Sequence, residues 1–438
     1  MEKFFKGSLF LIGAAFLGEC LEFFTNMILA RELGETGLGL YMSILPVIFL
    51  IMLLSNLELP TSISKYIAEE DEKYHRSLLK KVFTFMIIYC SILIPLTFLI
   101  LPILSIFDHY HPFFKYLITA FIPISAFTAI IRGFLIGKEK MGIIAISSFL
   151  KKGIQLLLLV LFFSLAKVSL DVSVLLAFLT FFLTECVLFI YFITLFLIQL
   201  RTYRTKEKEE VTLEETKRKL IAVSGPATTL RVFHALTHAV EPFLIKTALV
   251  AAGFTMVVAN EKFGALAGIT FTIGFFPAFI AHSFMIVIIP TVSKWYARFN
   301  LDSISDLLRK ICKITLAYGS IAIIIMFVFG EWIAETYFHS QEAGVYLKLL
   351  WPMFLLNYFI MPMQAFMIAL GLVKETLYHF LWGTLVSFVL MFFLGSRPEF
   401  GMGGIIIALN FNSLLVFLLH YLTLCKKLNR TIFLKKIY

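Results

Sequence analysis

The hydrophobic and polar positions of this chain are grouped into segments, with apolar runs of about twenty residues separated by short polar stretches. A run of that length is what an α-helix needs to cross the hydrocarbon core of a bilayer. The pattern therefore predicts an all-α, polytopic membrane protein. Twelve spans are predicted, at residues 8–30, 38–57, 82–104, 114–136, 142–165, 172–198, 220–249, 264–289, 311–330, 347–370, 377–395 and 403–424.

One long hydrophilic stretch divides these spans into six plus six. It mixes both charge signs and lacks an apolar core, which is typical of a linker. Pro60 and Pro290 each begin a Pro-Thr motif at the end of spans 2 and 8, and Pro123 and Pro362 lie in spans 4 and 10. A repeat of six helices gives two halves of the same membrane orientation. We expect two pseudo-symmetric six-helix lobes, with residues 1–200 as the N-lobe, 201–219 as a cytoplasmic linker and 220–438 as the C-lobe.

The charged residues are few and unevenly distributed over the loops. The chain is 60% hydrophobic and only 15% charged, whereas a soluble domain is about half apolar and a quarter charged. If the N-terminus is cytoplasmic, the loops on that side carry most of the basic residues, and the opposite loops of the first half carry only Arg31, Lys115 and Lys167. Because basic residues concentrate in cytoplasmic loops, both termini are predicted to be cytoplasmic. The formal net charge of +10 then reflects topology and does not indicate nucleic-acid binding.

The sequence lacks the usual patterns of soluble catalytic sites. It contains no Walker loop, no dinucleotide-binding glycine fingerprint and no nucleophile elbow. Its five cysteines are isolated within or beside apolar runs without C-x-x-C spacing, so neither a disulfide framework nor a zinc site is indicated. We therefore expect no enzyme activity, no cofactor and no metal.

Span 7 carries the most unusual polar residues of the chain. Arg231, His234, His238 and Glu241 fall within roughly 80° of one another on a helix, so they form one polar stripe. A charge at the bilayer centre costs about 2.5–3.5 kcal/mol, and such a stripe must face a partner helix or an aqueous cavity. The two histidines resemble a metal site, but Ala235 follows His234 and the H-E-x-x-H pattern is therefore absent.

Span 1 carries a second stripe, formed by Glu19, Glu22 and Asn26 within about 60° of one another. It is the repeat-mate of span 7, and pseudo-symmetry places the two stripes opposite each other at the lobe interface, where transporter sites lie. The alternative is a structural ion pair between helices, for example Glu22 with Arg231. Two stripes on symmetry-related helices exceed what one pair requires, which favours a substrate or ion role.

Several segments carry a family resemblance. They are Ala30 to Gly34 leading to Tyr41, Leu59 to Ala68, Arg132 to Gly137, and Ile288 to Ser293. With these segments the chain resembles the multidrug/oligosaccharidyl-lipid/polysaccharide flippase superfamily, in its stage V sporulation protein B and polysaccharide-exporter branch. The resemblance implies two six-helix lobes around a central cavity lined by spans 1 and 7, with alternating access to the two sides. Many members have fourteen spans, whereas twelve are predicted here.

A lipid-linked sugar presents a phosphate or pyrophosphate, which a guanidinium group suits because its donors match the phosphate oxygens. Arg231 is the first candidate for binding it and Lys246 the second. Arg132 is a third, although it also fits a positive anchor at the membrane surface. The further candidates are His234 and His238 of the same stripe, and Lys151 and Lys152 near the middle of span 5, which face a cavity or extend to the membrane surface.

The carboxylates suggest coupling to an ion. A carboxyl group inside the membrane can bind and release a proton, or ligate Na⁺ together with an amide. The candidates are Glu19, Glu22, Asn26 and Glu241, with Glu185 in span 6 as a weaker one.

The favoured function is a flippase that moves a polyprenyl-phosphate-linked oligosaccharide or cell-envelope precursor across the bacterial cytoplasmic membrane. Its expected partners are that substrate, membrane lipids, H⁺ or Na⁺, and proteins of cell-envelope synthesis; sporulation, capsule and wall synthesis all stay open. The alternative is an ion-coupled multidrug antiporter, in which Glu19 and Glu22 act with aromatic residues on an organic cation. A membrane-embedded enzyme or scaffold is a third class.

Overall fold

The described chain is helical almost throughout, which confirms the all-α prediction. The computed structural model describes residues 2–103, 105–108, 110–165, 168–202 and 213–431, with side chains except at 2–11, 14, 105, 200–202, 213–227 and 230. Lys167 and residues 203–212 of the predicted linker lie outside the described residues. The helices are α1 (Glu2–Asn56), α2 (Leu59–Glu69), α3 (Glu72–Ile100), α4 (Phe114–Gly137), α5 (Met141–Leu165), α6 (Leu170–Thr202), α7 (Leu213–Ala251), α8 (Met256–Phe263), α9 (Phe271–Phe275), α10 (Ala278–Tyr296), α11 (Leu301–Phe338), α12 (Gln341–Leu349), α13 (Trp351–Ala369), α14 (Val373–Gly395) and α15 (Met402–Lys427), and a π-helix, Gly264–Thr270, joins α8 to α9.

Ten segments of the described residues are long and apolar enough to cross a membrane, and the protein is a multi-pass membrane protein. Predicted spans 1 and 2 appear together in one of these segments, Ala15–Glu69, because only a kink at Gly34 separates the two helical parts of α1. The segment of span 7 is not among the ten; its helix α7 carries the polar stripe. The count of twelve spans and the cytoplasmic termini remain predictions.

The passage from span 1 to span 2 is a bend at Gly34 rather than a loop. The backbone of Gly34 has φ 62° and ψ 178°, a conformation that is essentially restricted to glycine. The chain therefore changes direction at one residue, and α1 carries both spans.

The helices group into two compact units. Unit 1 comprises Met1–Gly39 and Glu241–Tyr438, and unit 2 comprises Leu40–Val240. The division falls within α1 and α7, whereas the predicted lobes, 1–200 and 220–438, divide the chain at the linker. The first part of α1 thus groups with the second half of the chain, and the lobe boundaries remain a prediction.

Direct contact between glycine backbones explains why the start of α1 belongs to unit 1. A Cβ atom on Gly39 would lie 2.0 Å from the carbonyl oxygen of Asn260, and one on Gly264 would lie 2.1 Å from the carbonyl oxygen of Glu35. Real Cβ atoms do not approach oxygen so closely, so both positions require glycine. The backbone of α1 can therefore approach the end of α8 and the start of the π-helix.

Replacing Gly264 with alanine is expected to lower the free energy of unfolding by at least the ~1–3 kcal/mol typical of overpacking, because the added methyl group meets backbone that cannot move aside. Thermal unfolding of the detergent-solubilised protein measures the effect. Gly153→Ala in α5 is the control, since nothing lies within 4 Å of its Cβ position and alanine favours helix. Equal melting temperatures for the two variants would show that this backbone contact is absent.

The two units share one internal pattern of helix packing. In unit 2, α4 packs against α2, α3 and α6, and α5 packs against α6; in unit 1, α13 packs against α10, α11 and α15, and α14 packs against α15. Each pair in one unit corresponds to a pair six predicted spans away in the other. The buried apolar clusters accordingly include α4 in unit 2 and α13 in unit 1. This correspondence supports the predicted six-helix repeat.

Candidate substrate and ion-coupling site

Arg231 of α7 forms an ion pair with Glu58 within unit 2. Its guanidinium Nη1 donates to Oε1 of Glu58 at 3.0 Å. The arginine side chain is 68% exposed, whereas that of Glu58 is only 10% exposed. The structural ion pair that the sequence suggested for Arg231 was with Glu22, and the carboxylate that actually pairs with it is Glu58. Because the guanidinium remains largely exposed, its other donors are accessible to a second anion.

Glu58 lies at the break between α1 and α2. Leu57 and Glu58 both have left-handed backbone conformations, with φ 47° and 51°, which are uncommon for such residues. The backbone N–H of Glu58 donates to Oδ1 of Asn56 at 3.0 Å, which satisfies a donor that the break leaves outside a helix. Strained backbone held by such contacts occurs frequently at functional sites, and Glu58 is therefore a candidate site residue.

Glu58 is not among the residues that the sequence predicts for the site, because it lies just past the end of predicted span 2. The one available signal is a carboxylate that ends an apolar run two residues before Pro60. That signal alone does not identify the pairing with Arg231, which is 173 residues away.

The other residues of the span 7 stripe are His234, His238 and Glu241. The imidazole rings of His234 and His238 are exposed and lie 4.7 Å apart, centroid to centroid. Glu241 is partly exposed and belongs to unit 1, whereas both histidines belong to unit 2. Among the described residues, no group of three or more His, Cys, Asp or Glu side chains is arranged to hold a metal ion.

Lys246, also on α7, is a buried cation that has no carboxylate partner among the described side chains. It is only 7% exposed, and its ammonium lies 4.9 Å from the ring centroid of Phe243. The salt bridges found among the described residues do not include it. A cation–π contact supplies about 0.5–2 kcal/mol, whereas burying an ammonium group costs several kcal/mol. The described side chains therefore compensate the charge of Lys246 poorly.

The span 1 stripe lies in unit 1. Glu22 is exposed and Glu19 is partly exposed on α1. Asn26 donates from Nδ2 to Oγ1 of Thr272 at 3.0 Å, and that hydroxyl donates to the carbonyl oxygen of Gly268 at 2.6 Å. Asn26 thus joins α1 to α9, and its role as an ion ligand stays a prediction, as do those of the two carboxylates.

Lys151 pairs with Glu185 instead of standing alone. Its Nζ lies 2.6 Å from Oε1 of Glu185, whose side chain is 10% exposed. The ammonium also lies 5.2 Å from the ring centroid of Phe181. The sequence left open whether Lys151 faces a cavity or extends to the membrane surface; the observed contact is an ion pair between α5 and α6 in unit 2.

This pair predicts unequal effects of single and double substitutions. Lys151→Met is expected to lower the melting temperature of the detergent-solubilised protein because it leaves the buried Glu185 carboxylate uncompensated. Lys151→Met combined with Glu185→Met is expected to recover most of the loss, since replacing both partners by apolar groups is often neutral. A double variant that is less stable than the single one would contradict the pairing.

Arg132 is exposed on α4, five residues before that helix ends at Gly137. Exposure near a helix end suits either a head-group contact or an anchor at the membrane surface, so its substrate role stays a prediction.

Comparison with known proteins gives consistent relatives along nearly the whole chain. A family profile described as polysaccharide biosynthesis protein matches residues 4–295. Sporulation protein YkvU of Bacillus subtilis (strain 168) is 46% identical over 434 residues, covering 99% of this chain and 98% of that protein. Stage V sporulation protein B of the same organism is 29% identical over 446 residues, covering 99% and 86%.

Solved structures with a similar fold are transporters. An inward-facing multidrug resistance MATE family transporter of the MOP superfamily superposes with a TM-score of 0.73 at 16% identity, covering 94% of each chain. A MOP superfamily transporter from Pyrococcus furiosus Vc1 (DSM3638), whose binding pocket is described as having reverse polarity that suggests a different function, superposes with a TM-score of 0.63 at 14% identity, covering 97% and 96%. These likenesses establish the fold of the chain.

Proposed function

Since the chain belongs to the polysaccharide biosynthesis protein family, we propose that this membrane transporter is a flippase for a polyprenyl-phosphate-linked oligosaccharide or a related cell-envelope precursor. It moves the head group across the cytoplasmic membrane by alternating access, while the lipid tail stays in the hydrocarbon. Sporulation proteins among the relatives make a spore-envelope precursor one such substrate.

The observation that carries the proposal is the uncompensated positive charge of Lys246. A phosphate or pyrophosphate supplies the missing negative charge, and charge-assisted hydrogen bonds form from the ammonium to its oxygens. Arg231 supplies a second cation, because its guanidinium is exposed while Glu58 orients it. An organic cation gains nothing from either group, since both would repel it.

Coupling to H⁺ or Na⁺ is assigned to the carboxylates of the polar stripes. Glu19 and Glu22 on α1 and Glu241 on α7 belong to unit 1, the same unit as Lys246. Replacement of each carboxylate by glutamine is expected to change the dependence of transport on the pH or Na⁺ gradient, and an unchanged dependence in all three variants removes coupling from this set.

The runner-up is an ion-coupled antiporter of organic cations. It is favoured by Glu22, an exposed carboxylate within a segment of α1 that also carries Phe23 and Phe24. The family and the transporter fold favour either kind of transport over catalysis.

Flipping of a fluorescent polyprenyl-pyrophosphate oligosaccharide in proteoliposomes tests the proposal. Wild-type protein should expose the fluorophore to a membrane-impermeant quencher faster than protein-free vesicles do. For the replacement of Lys246 by methionine, the matched control is Lys140→Met, which removes an exposed lysine between α4 and α5. If the wild type does not flip this lipid but exports an organic cation in exchange for protons, the protein is an antiporter and the flippase proposal is wrong.

A further inference from the structure

An apolar cavity of about 610 Å³ lies within unit 1, bordered by α1, α9, α10 and α11. Its volume falls within the roughly 300–1,000 Å³ of ordinary ligand sites. Fifteen residues line it, and none of them carries a charge. The polar stripe residues of α1 are not part of this lining, so the cavity is distinct from the site described above.

Phenylalanine side chains form much of the wall. Phe16 contacts Phe276 and Phe279 with ring centroids 6.0 and 5.4 Å apart, and Phe23 contacts Phe276 at 5.7 Å. Aromatic rings in edge-to-face and tilted arrangements of this kind attract each other. The rings therefore support the wall from both α1 and the α9–α10 segment.

The lining determines the class of ligand. Water does not fill an apolar cavity, because it finds no hydrogen-bond partners there. An organic cation would lose its hydration without gaining a carboxylate, since none of the described lining residues is acidic. A hydrocarbon chain loses no hydrogen bonds or hydration of charge on entering, and it exchanges contacts with lipid tails for close contacts with the rings.

The rim of the cavity is accessible from the surface of the protein. Phe24 is 47% exposed and Ile321 is 59% exposed, and both belong to the lining. These exposed apolar side chains give a hydrocarbon chain a point of entry into the cavity. A lipid can therefore insert a chain into the cavity from the side.

The predicted spans place the cavity near the middle of the bilayer. Cys20, Phe276 and Ile321 line it and lie within about one residue of the centres of predicted spans 1, 8 and 9. The hydrocarbon core is about 30 Å thick, so the midplane is about equally far from both head-group layers. The end of a long tail held there is not displaced when its head group changes sides.

The wall and the polar stripe are neighbouring faces of one helix segment. At 100° per residue, the face with Phe16 and Phe23 is turned by about 80° from the face with Glu19 and Glu22. One segment of α1 thus offers an apolar surface beside a polar one, which suits an amphiphilic substrate.

We propose that this cavity holds the far end of the isoprenoid tail of the carrier lipid while the head group crosses the membrane. The proposal rests on the proposed function, which supplies a substrate whose single tail is long enough to remain at the midplane.

The test uses a polyprenyl phosphate that carries a diazirine at the end of its tail, reconstituted with the full-length protein. Irradiation and peptide mapping are expected to place the label on α1 and on α9 to α11 around the cavity. Ile325→Trp fills the cavity and should lower both labelling and flipping by about tenfold. Ile324→Trp is the matched control, because Ile324 is the adjacent residue on α11, is 61% exposed and does not line the cavity.

The outcomes separate this inference from the proposed function. Flipping that proceeds with labels scattered over lipid-facing residues, or equal effects of the two tryptophan variants, overturns the tail site and leaves the flippase standing. Labelling of the cavity without any flipping supports the site and removes the flippase. Equal labelling by phosphatidylcholine with a diazirine at the end of its acyl chain shows an ordinary lipid crevice and overturns the assignment to isoprenoid.

Discussion

Replacing Lys246 with methionine is expected to reduce flipping of a lipid-linked oligosaccharide by about ten- to hundredfold. A hydrogen bond to a charged group contributes about 1.5–3 kcal/mol, and each 1.4 kcal/mol changes a rate or an equilibrium by tenfold. Methionine keeps most of the length and apolar surface of the side chain while removing the ammonium group. The proteoliposome flipping rate at limiting substrate measures the loss.

The same substitution is expected to leave the protein as stable as the wild type, or more stable. Lys246 is buried and pairs with none of the described carboxylates, so the wild-type protein bears the cost of a poorly compensated charge, and methionine removes it. A rise or no change in melting temperature together with lost transport identifies a functional cation, in line with the usual trade-off between stability and activity.

A different combination of stability and flipping would give Lys246 a structural role. If Lys246→Met lowers the melting temperature and flipping in parallel, the lysine supports the fold and the proposal loses the observation that carries it. Lys140→Met should change neither quantity, because that lysine is exposed between α4 and α5.

Arg231→Ala is expected to reduce flipping by about ten- to hundredfold as well, because it removes the exposed guanidinium that we assign to the head group. It should also destabilise the protein, since it leaves the Glu58 carboxylate, 10% exposed, without its partner. Glu58→Gln should lower the melting temperature less than Arg231→Ala does. The Arg231 side chain that it leaves without a partner is 68% exposed, so the guanidinium remains hydrated.

The double variant Arg231→Ala with Glu58→Gln separates the two roles of the arginine. It is expected to recover the melting temperature but not the flipping rate. Recovery of both would show that Arg231 serves only to neutralise Glu58, and that a different cation binds the head group.

The fold class was predictable from the sequence because the bilayer imposes a simple rule. A segment of about twenty apolar residues must satisfy its own backbone hydrogen bonds, and a helix does so. Most predicted spans therefore coincide with helices, for example 114–136 with α4 and 377–395 within α14. The family resemblance rested on segments spread along the chain and is confirmed by the family profile and by the sporulation relatives.

The polar stripes were visible in the sequence for the same reason, since a charge in an apolar run has few explanations. Their partners were not visible. The pairs Arg231–Glu58 and Lys151–Glu185 join residues 173 and 34 positions apart, and a helical period relates only residues within a few turns. Likewise, only the packed helices show that Lys246 pairs with none of the described carboxylates.

The sequence by itself thus determined that the chain is helical, crosses the membrane many times, and carries charge where charge is costly. Tertiary structure alone decided where the chain divides, because direct backbone contact between Gly39 and Gly264 places the first part of α1 in unit 1. It also decided which charges are neutralised and where an apolar cavity remains. The physical reason is range: hydropathy and helical period act along neighbouring residues, whereas pairing, burial and cavities depend on helices that are distant in the sequence.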